Sequence, residues 1–295
     1  MDVRGKNVLI TGASSGIGHA TARALAAEGA VLAVSGRNVP ALEELADLVA
    51  SQGRVRPVVL ATDLSRRGAA ASLAARVVQA LGPVDIVINN AAVEGVGSYA
   101  AAGDDEESRE LFETNYWSPF ALIRTLLPSM RERGFGALVS ISSLGAVTPV
   151  SGTGHYASSK AALAIATEAL RSELRGSGVH VILVYPGLVD TPMLHEFKGR
   201  PDLTARMRRG LSLMPVGRPE GLARAIVRAL RRERSTVVYP RAYAVAPLVP
   251  AVSRWFTNLL FGSPGASATA GTSPRRCCRS TLVGRGLSGR GRRAA

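Results

Sequence analysis

Near its start the chain runs from an apolar stretch, Asn7–Thr11, through Thr11-Gly12-Ala13-Ser14-Ser15-Gly16-Ile17-Gly18 into an Ala/Leu/Arg-rich segment of helical length, 17–28. A strand, a glycine-rich turn and a helix in that order leave little freedom of fold. One glycine permits the tight turn, one lets a phosphate approach the backbone, and one lets helix and strand pack closely. The helix N-terminus then presents unpaired N–H groups and the positive end of its dipole. Thr11, Gly12, Ser14, Ser15, Gly16, Ile17 and Gly18 are therefore candidates for a phosphate cradle. The spacing is Gly-x3-Gly-x-Gly, which differs from the Gly-x-Gly-x-x-Gly of other dinucleotide-binding turns.

The pattern behind this turn repeats. Strand candidates are Asn7–Thr11, Val31–Ser35, Val55–Ala61, Ile86–Asn89, Ala137–Ser142, Val179–Tyr185 and Thr236–Tyr239. Helical patterns fill 17–28, 39–51, 68–80, 106–132, 155–175 and 219–232. Strands that alternate with helices imply a doubly wound sheet. Strands that are apolar throughout imply helices on both faces. The expected fold is α/β and Rossmann-like: a mostly parallel, seven-stranded sheet with helices on both faces. Residues 1–240 read as one catalytic-type domain, 241–261 as an apolar C-terminal extension and 262–295 as a disordered basic tail. Within the domain, 188–218 is a long connection of the kind that forms binding loops.

Charge sharpens that division. The formal net charge is +14, but seven arginines and no acid lie from Gly262 onward, leaving +7 for the first 261 residues. The basic excess is thus concentrated in a Gly/Ser/Ala-rich tail, and no specific nucleic-acid partner is expected. The two cysteines, Cys277 and Cys278, are adjacent and have neither disulfide-framework nor zinc-site spacing, so no metal is expected. The opening residues show no signal-peptide pattern, and no stretch has the roughly 20 apolar residues of a membrane span. The expected location is cytoplasmic. Weak peripheral membrane contact through 241–295 is the alternative, since Val252, Trp255, Phe256, Leu259 and Leu260 share one face if that segment is helical.

Two further features carry chemistry. After the second strand the chain reads Val34-Ser35-Gly36-Arg37-Asn38, with an arginine where sites for the unphosphorylated cofactor place an acid. A guanidinium favours a 2′-phosphate, so NADP(H) is expected in preference to NAD(H). In Tyr156-Ala-Ser-Ser-Lys160 the tyrosine and lysine are four apart and share a helix face. A free phenol has a pKa of about 10, and a neighbouring ammonium is expected to lower it.

Taken in order and spacing, Thr11–Gly18, Asn89-Asn90-Ala91, Asn115, Ser143, Tyr156-x3-Lys160 and Pro186-Gly187 resemble the short-chain dehydrogenase/reductase family over about residues 5–240. The resemblance implies an NADP(H)-dependent oxidoreductase that interconverts a secondary alcohol and a ketone, or an alcohol and an aldehyde. It implies Tyr156 as acid/base, Lys160 as its partner and ribose ligand, Ser143 as ligand of the substrate oxygen, and Asn115 as holder of a water that relays protons. Ser142 competes with Ser143, but alternation puts the two on opposite sides of a strand, and the family spacing selects Ser143. The resemblance further implies cofactor contacts at Asp63 and Leu64 (adenine), Asn89 and Ala91 (ribose), and Pro186, Gly187, Val189 and Thr191 (nicotinamide). Two positions depart from the family pattern: Ala92 replaces a usual glycine, and Ser118 closes Tyr116-Trp117-Ser118 where glycine is common. A non-catalytic dinucleotide sensor would lack the serine, tyrosine or lysine, and all three are present.

The substrate pocket is expected beneath 188–218, lined by Met193, Leu194, Phe197, Leu211, Leu213 and Met214, with Val93, Val96, Val150 and Trp117 as further walls. Such a lining suits a lipophilic alcohol or ketone. The family resemblance also implies a homodimer or homotetramer packed through 106–132 and 155–175.

Overall fold

The computed structural model describes residues 1–95, 103–201 and 203–261, all of which belong to the unit Met1–Ser263. The expected basic tail, 262–295, and the expected pocket residue Val96 lie outside the described residues.

Seven strands among the described residues form one wholly parallel sheet: β1 (Asn7–Thr11), β2 (Val31–Gly36), β3 (Val58–Ala61), β4 (Ile86–Asn89), β5 (Gly136–Ile141), β6 (Val179–Pro186) and β7 (Thr236–Tyr239), in the order β3-β2-β1-β4-β5-β6-β7. The helices are α1 (Gly16–Ala27), α2 (Val39–Ser51), α3 (Ala69–Leu81), α4 (Glu106–Phe112), α5 (Ser118–Glu132), α6 (Gly154–Glu173), α7 (Pro192–Lys198), α8 (Ala205–Leu213), α9 (Pro219–Arg231) and α10 (Pro250–Phe261). One face of the sheet is covered by α1, α2 and α9 through Leu25, Leu42, Leu45, Ile226 and Leu230. The other is covered by α3, α5 and the end of α6 through Leu73, Val77, Leu122, Leu126 and Leu170. Burial on both faces explains why the strands read as unbroken apolar runs.

Three sequence expectations need correction. The third strand begins at Val58, not Val55. Pro57 has no N–H to give to a ladder, and Arg56 is drawn aside to Glu43 and Asp47 at 2.6 and 2.9 Å. The segment 106–132 is not one helix: a π-helical turn, Glu113–Trp117, separates α4 from α5. The connection 188–218, read as a long loop, contains the helices α7 and α8. Its base is pinned by a bridge between Val189 and Gly217, with Gly217 N–H donating to the Leu188 carbonyl (2.8 Å) and Asp190 N–H to that of Gly217 (2.9 Å).

The sheet order reverses between β1 and β4. Ligands of open α/β sheets bind beyond the carboxyl ends of the strands at such a switch point. The opposite end of the same strands is tied by Asp85. Its carboxylate accepts from Arg133 (2.7 Å) and from the Asn7 backbone N–H (3.0 Å), while the Arg133 guanidinium also donates to the Val84 carbonyl (2.7 Å). Asp85 is largely buried. Removing one partner of a buried pair strands the other. Asp85→Ala is expected to cost about 2–4 kcal/mol and to lower the midpoint of thermal unfolding by roughly 5–10 °C. An unchanged midpoint would show that water replaces this tie.

Candidate active site

The glycine-rich turn is held by a hydrogen-bonded knot between β1 and β4. The Thr11 hydroxyl donates to the Ile88 carbonyl (3.3 Å) and accepts from the N–H groups of Asn90 (3.1 Å) and Ala91 (3.0 Å). The Asn90 amide donates to the carbonyls of Thr11 (2.9 Å) and Gly12 (3.0 Å). Space is minimal here: a Cβ on Gly18 would stand 2.3 Å from the Gly12 carbonyl oxygen, and one on Gly12 2.7 Å from the Ala91 Cα. Both glycines are required by packing. Gly12 and Gly16 also have φ of +65° and +54°, which side chains with a Cβ rarely adopt. Ser15 precedes α1, whose N-terminus has no side-chain cap and no acid in its first turn. Gly16 and Ile17 of its first turn line the cleft, and among the described residues no side chain caps it, an arrangement that suits a phosphate.

A cleft of about 1000 Å³ runs along the carboxyl ends of the strands. At one end it is lined by Gly12, Ser14, Ser15, Gly16, Ile17, Arg37, Asp63, Leu64 and Ala91, and in its middle by Ser143, Tyr156, Lys160, Pro186, Gly187, Val189 and Thr191. Four expected site residues sit behind its wall: Thr11, Gly18, Asn89 and Asn115. Thr11 and Gly18 shape the turn. Asn89 ends β4 with both amide atoms buried and without a hydrogen-bond partner among the described residues.

Asn115 is fully buried in the π-helical turn. Its side chain accepts from the Val93 N–H (2.9 Å) and donates to the Val93 carbonyl (3.0 Å) and to Ser159 Oγ (3.0 Å). Ser159 in turn donates to the Tyr156 carbonyl (2.8 Å). Asn115 therefore links the loop after β4 to the helix that carries Tyr156 and Lys160. Ser142 and Ser143 diverge as alternation requires. The Ser142 hydroxyl is buried and donates to the Lys160 carbonyl (2.8 Å). Ser143 lines the cleft together with Tyr156 and accepts from the Gly145 N–H (3.0 Å).

Electrostatics departs from expectation. Burial pushes the Tyr156 phenol up to about 12, only partly offset by the Ser143 hydrogen bond and reinforced by the Glu94 charge. Burial pushes the Lys160 ammonium down to about 7. Lys160 is 2% exposed, and its Nζ donates to the Ile141 carbonyl at 2.9 Å, standing 6.0 Å from the centre of the Tyr156 ring. The lysine is thus turned to the backbone of β5, and desolvation outweighs any lowering of the phenol by its charge.

Beyond Tyr156 the cleft turns apolar. Val93, Val150, Met193, Leu194, Phe197, Leu211, Leu213 and Met214 line it as expected, joined by Leu144, Leu188, Tyr243, Val249, Val252 and Phe256. Trp117 does not. It is 56% exposed and packs edge-on to Tyr116, 4.6 Å away, because the extra residue of the π turn shifts the helix phase and carries Asn115 inward instead. Ser118 is buried and donates to the Leu64 carbonyl (2.8 Å), binding α5 to the loop after β3. Residues 241–261 form part of the cleft roof: Tyr243 donates to the Pro215 carbonyl (2.8 Å), and its ring covers Gly187, where a Cβ would stand 2.6 Å away.

The residues that sequence reasoning passed over are Asn90, Ser159, Tyr243 and Glu94. Asn90 stood inside a quoted motif, whereas Glu94 carried no local signal. At the apolar end of the cleft Glu94 is the carboxyl that stands among the lining side chains.

Three comparisons bear on this geometry. Residues 6–201 match the family model for short chain dehydrogenases. Dehydrogenase/reductase SDR family member 7B of Rattus norvegicus is 41% identical over 197 residues, covering 64% of this chain and 59% of that protein. 11-beta-hydroxysteroid dehydrogenase A of Arachis hypogaea is 32% identical over 280 residues, covering 90% and 80%. A solved structure of a short-chain dehydrogenase from Sphingobium yanoikuyae in complex with NADPH superposes with a TM-score of 0.72 at 25% identity, over 89% of this chain and 99% of that one.

Burial pushes the Glu94 carboxyl up from 4.5 to about 7, against the Arg200 guanidinium and with help from Glu196. A carboxyl raised on folding adds stability below its unfolded value, and that stability is lost as pH rises through the folded value. Glu94→Gln does not titrate. The variant is expected to gain on the wild type as pH rises from about 4.5 to about 7, by up to about 3 kcal/mol, and to hold that lead above it. Thermal unfolding followed across this range checks it, and parallel curves would sink it.

Proposed function

The chain belongs to the short chain dehydrogenase family, and from that premise we propose that it is an NADP(H)-dependent oxidoreductase that interconverts a lipophilic alcohol and its carbonyl compound, acting through Ser143, Tyr156, Lys160 and Asn115. The observation that carries this reading is the shared cleft. It holds the phosphate-type turn at one end, Ser143, Tyr156 and Lys160 in the middle, and an apolar chamber beyond.

The residues present fit a nicotinamide dinucleotide. The uncapped N-terminus of α1 with Gly12, Ser14, Ser15, Gly16 and Ile17 would hold its pyrophosphate. Asp63 and Leu64 would border the adenine, and Lys160, Pro186, Gly187, Val189 and Thr191 the nicotinamide half. When bound, the dinucleotide supplies the hydride chemistry. Ser143 holds the substrate oxygen, and Tyr156 exchanges a proton with it. At neutral pH the desolvated phenol keeps its proton, the form that gives it to a carbonyl oxygen during reduction. Lys160, poised near neutrality, adjusts charge beneath the phenol, and Asn115 fixes the loop and helix that frame both groups. Thr191 is occupied as the cap of α7, accepting from the Leu194 N–H at 3.4 Å, so its share in binding rests on its position and methyl group.

Arg37 supports the NADP(H) preference. It is exposed at the end of β2, lines the adenine end of the cleft, and has no acid beside it in sequence. The relative solved with NADPH is consistent with the same choice. The apolar chamber supports a lipophilic substrate, and the peanut relative is named for hydroxysteroid oxidation. A homo-oligomer is supported by exposed Ile165 on α6. No helix of the described residues is long and apolar enough to cross a membrane. The location proposed is the cytoplasm, with weak peripheral membrane contact through 241–295 as the alternative.

The deciding experiment is NADPH oxidation with a panel of lipophilic ketones. Tyr156→Phe is expected to lose at least about 100-fold in kcat with NADPH affinity retained; full turnover by the variant would remove Tyr156 from the chemistry. Arg37→Ala is expected to raise the Kd for NADPH about tenfold or more while leaving NADH almost unchanged. Equal losses for both nucleotides would reject the 2′-phosphate role.

A further inference from the structure

Exposed apolar surface is unevenly distributed on this molecule. Of the fourteen large hydrophobic side chains exposed among the described residues, nine lie between Leu213 and Leu259. Leu248 is 77% exposed, Trp255 65% and Phe256 53%. Six of the nine, Leu213, Val245, Val249, Val252, Trp255 and Phe256, line the same cleft, and a cluster of that kind marks an interaction site. The face is firmly built. Phe261 packs with Leu203, Met207 and Leu211 of the segment containing α8, Arg254 donates to the Val147 carbonyl at 3.0 Å, and Ser253 to that of Ala246 at 3.1 Å. With α10 anchored in this way, its remaining apolar side chains face water at the mouth of the cleft, where Val252, Trp255 and Phe256 are both exposed and lining.

Charge selects the occupant. Residues 203–218 and 241–261 contain six arginines and no Asp or Glu. Arg206 and Arg209 border a groove between α8 and α10 together with Leu213 and Leu259. A second copy placed on this face by two-fold symmetry would bring the same arginines against one another. An anionic bilayer meets both features, since its headgroups match the arginines and its acyl boundary takes the tryptophan and phenylalanine. We propose that this face docks on an anionic lipid surface and that the cleft opens into the bilayer, from which its substrate is drawn. The docking stands on the surface alone, whereas the drawing of substrate rests on the lipophilic-substrate reading above.

The test uses the full chain carrying Trp117→Phe. The chain has two tryptophans, so Trp255 becomes the sole indole reporter. The probes are vesicles of phosphatidylcholine with or without phosphatidylglycerol, each with brominated acyl chains. The expected result is a blue shift and bromine quenching of Trp255 on the anionic vesicles only. Adding Leu248→Ser and Leu259→Ser, neither of which lines the cleft, is expected to weaken partition at least about tenfold while leaving turnover of a short, water-soluble ketone unchanged. A vesicle-borne ketone is expected to be reduced more slowly by that variant than by the parent.

Vesicle binding without quenching of Trp255 would overturn the proposal and give the attachment to basic residues elsewhere. Equal quenching on neutral vesicles would overturn its charge half. A concentration-dependent blue shift without lipid would overturn it in favour of a second copy. Vesicle docking with no turnover of any ketone would overturn the enzymatic reading and leave the docking intact, whereas turnover without docking would do the reverse.

Discussion

The site depends on the tie between the ends of β1 and β4. Two side chains, Thr11 and Asn90, make five hydrogen bonds across the point where the sheet order reverses. A parallel sheet that splits its crossovers to opposite faces leaves a crevice there, and its walls would have unsatisfied carbonyls and N–H groups if nothing bridged them. Thr11 and Asn90 satisfy those groups and, in the same act, fix the glycine-rich turn at a separation where Gly12 and Gly18 admit no Cβ. The direction of α1, and with it the aim of its N-terminal N–H groups, follows from that geometry. Asn115 does the corresponding work one step away, joining the loop after β4 to α6 through Val93 and Ser159. Tyr156 and the turn are thus referred to a common frame of backbone hydrogen bonds.

Within that frame two ionisable groups are kept where they are uncomfortable. A buried ammonium with one protein hydrogen bond and a half-buried, desolvated phenol at the cleft wall both favour their neutral forms. Desolvation therefore works against a phenolate–ammonium pair here. Glu94 reinforces this arrangement, because its negative charge opposes that of a phenolate. Such destabilised groups are characteristic of functional sites, where activity is retained at the expense of stability.

Sequence reading reached the fold because its signals were local and repeated. Seven apolar runs between helical patterns, each long enough to bury, leave one architecture, and the turn, Tyr156 and Lys160 lie on short contiguous segments. What escaped it depended on backbone phase or distant partners. The π turn at Glu113–Trp117 interrupts no apolar periodicity that could be seen in advance, yet it decides that Asn115 points inward and Trp117 outward. Pro57 shortens β3 through a missing donor, a signal that was present in the sequence. Tyr243 and Glu94 matter because of what the tertiary fold places opposite them, Gly187 and Tyr156 respectively, and no spacing rule encodes either meeting. The lysine's effect on the tyrosine was misjudged for a related reason, since helix position gives proximity but not the depth of burial that governs both pKa values.

The roof of the cleft shows how its shape and its accessibility are linked. The Val189–Gly217 bridge closes the base of the segment that carries α7 and α8, and the Tyr243–Pro215 hydrogen bond binds the C-terminal extension to that segment. Phe261 then fixes the far end of α10 against Gly210, where a Cβ would lie 2.8 Å from its ring. These ties hold the roof at its base, its middle and its end. The wall they leave accessible is the one built from Val249, Val252, Trp255 and Phe256, whose side chains line the cavity and meet solvent at once. A lipophilic molecule that approaches along this wall exchanges one apolar surface for another without a fully hydrated step between. On the proposed reading, the residues that leave apolar area in water at the mouth are the same ones that would lower the barrier to filling the chamber, a physical reason for their exposure that core packing does not supply.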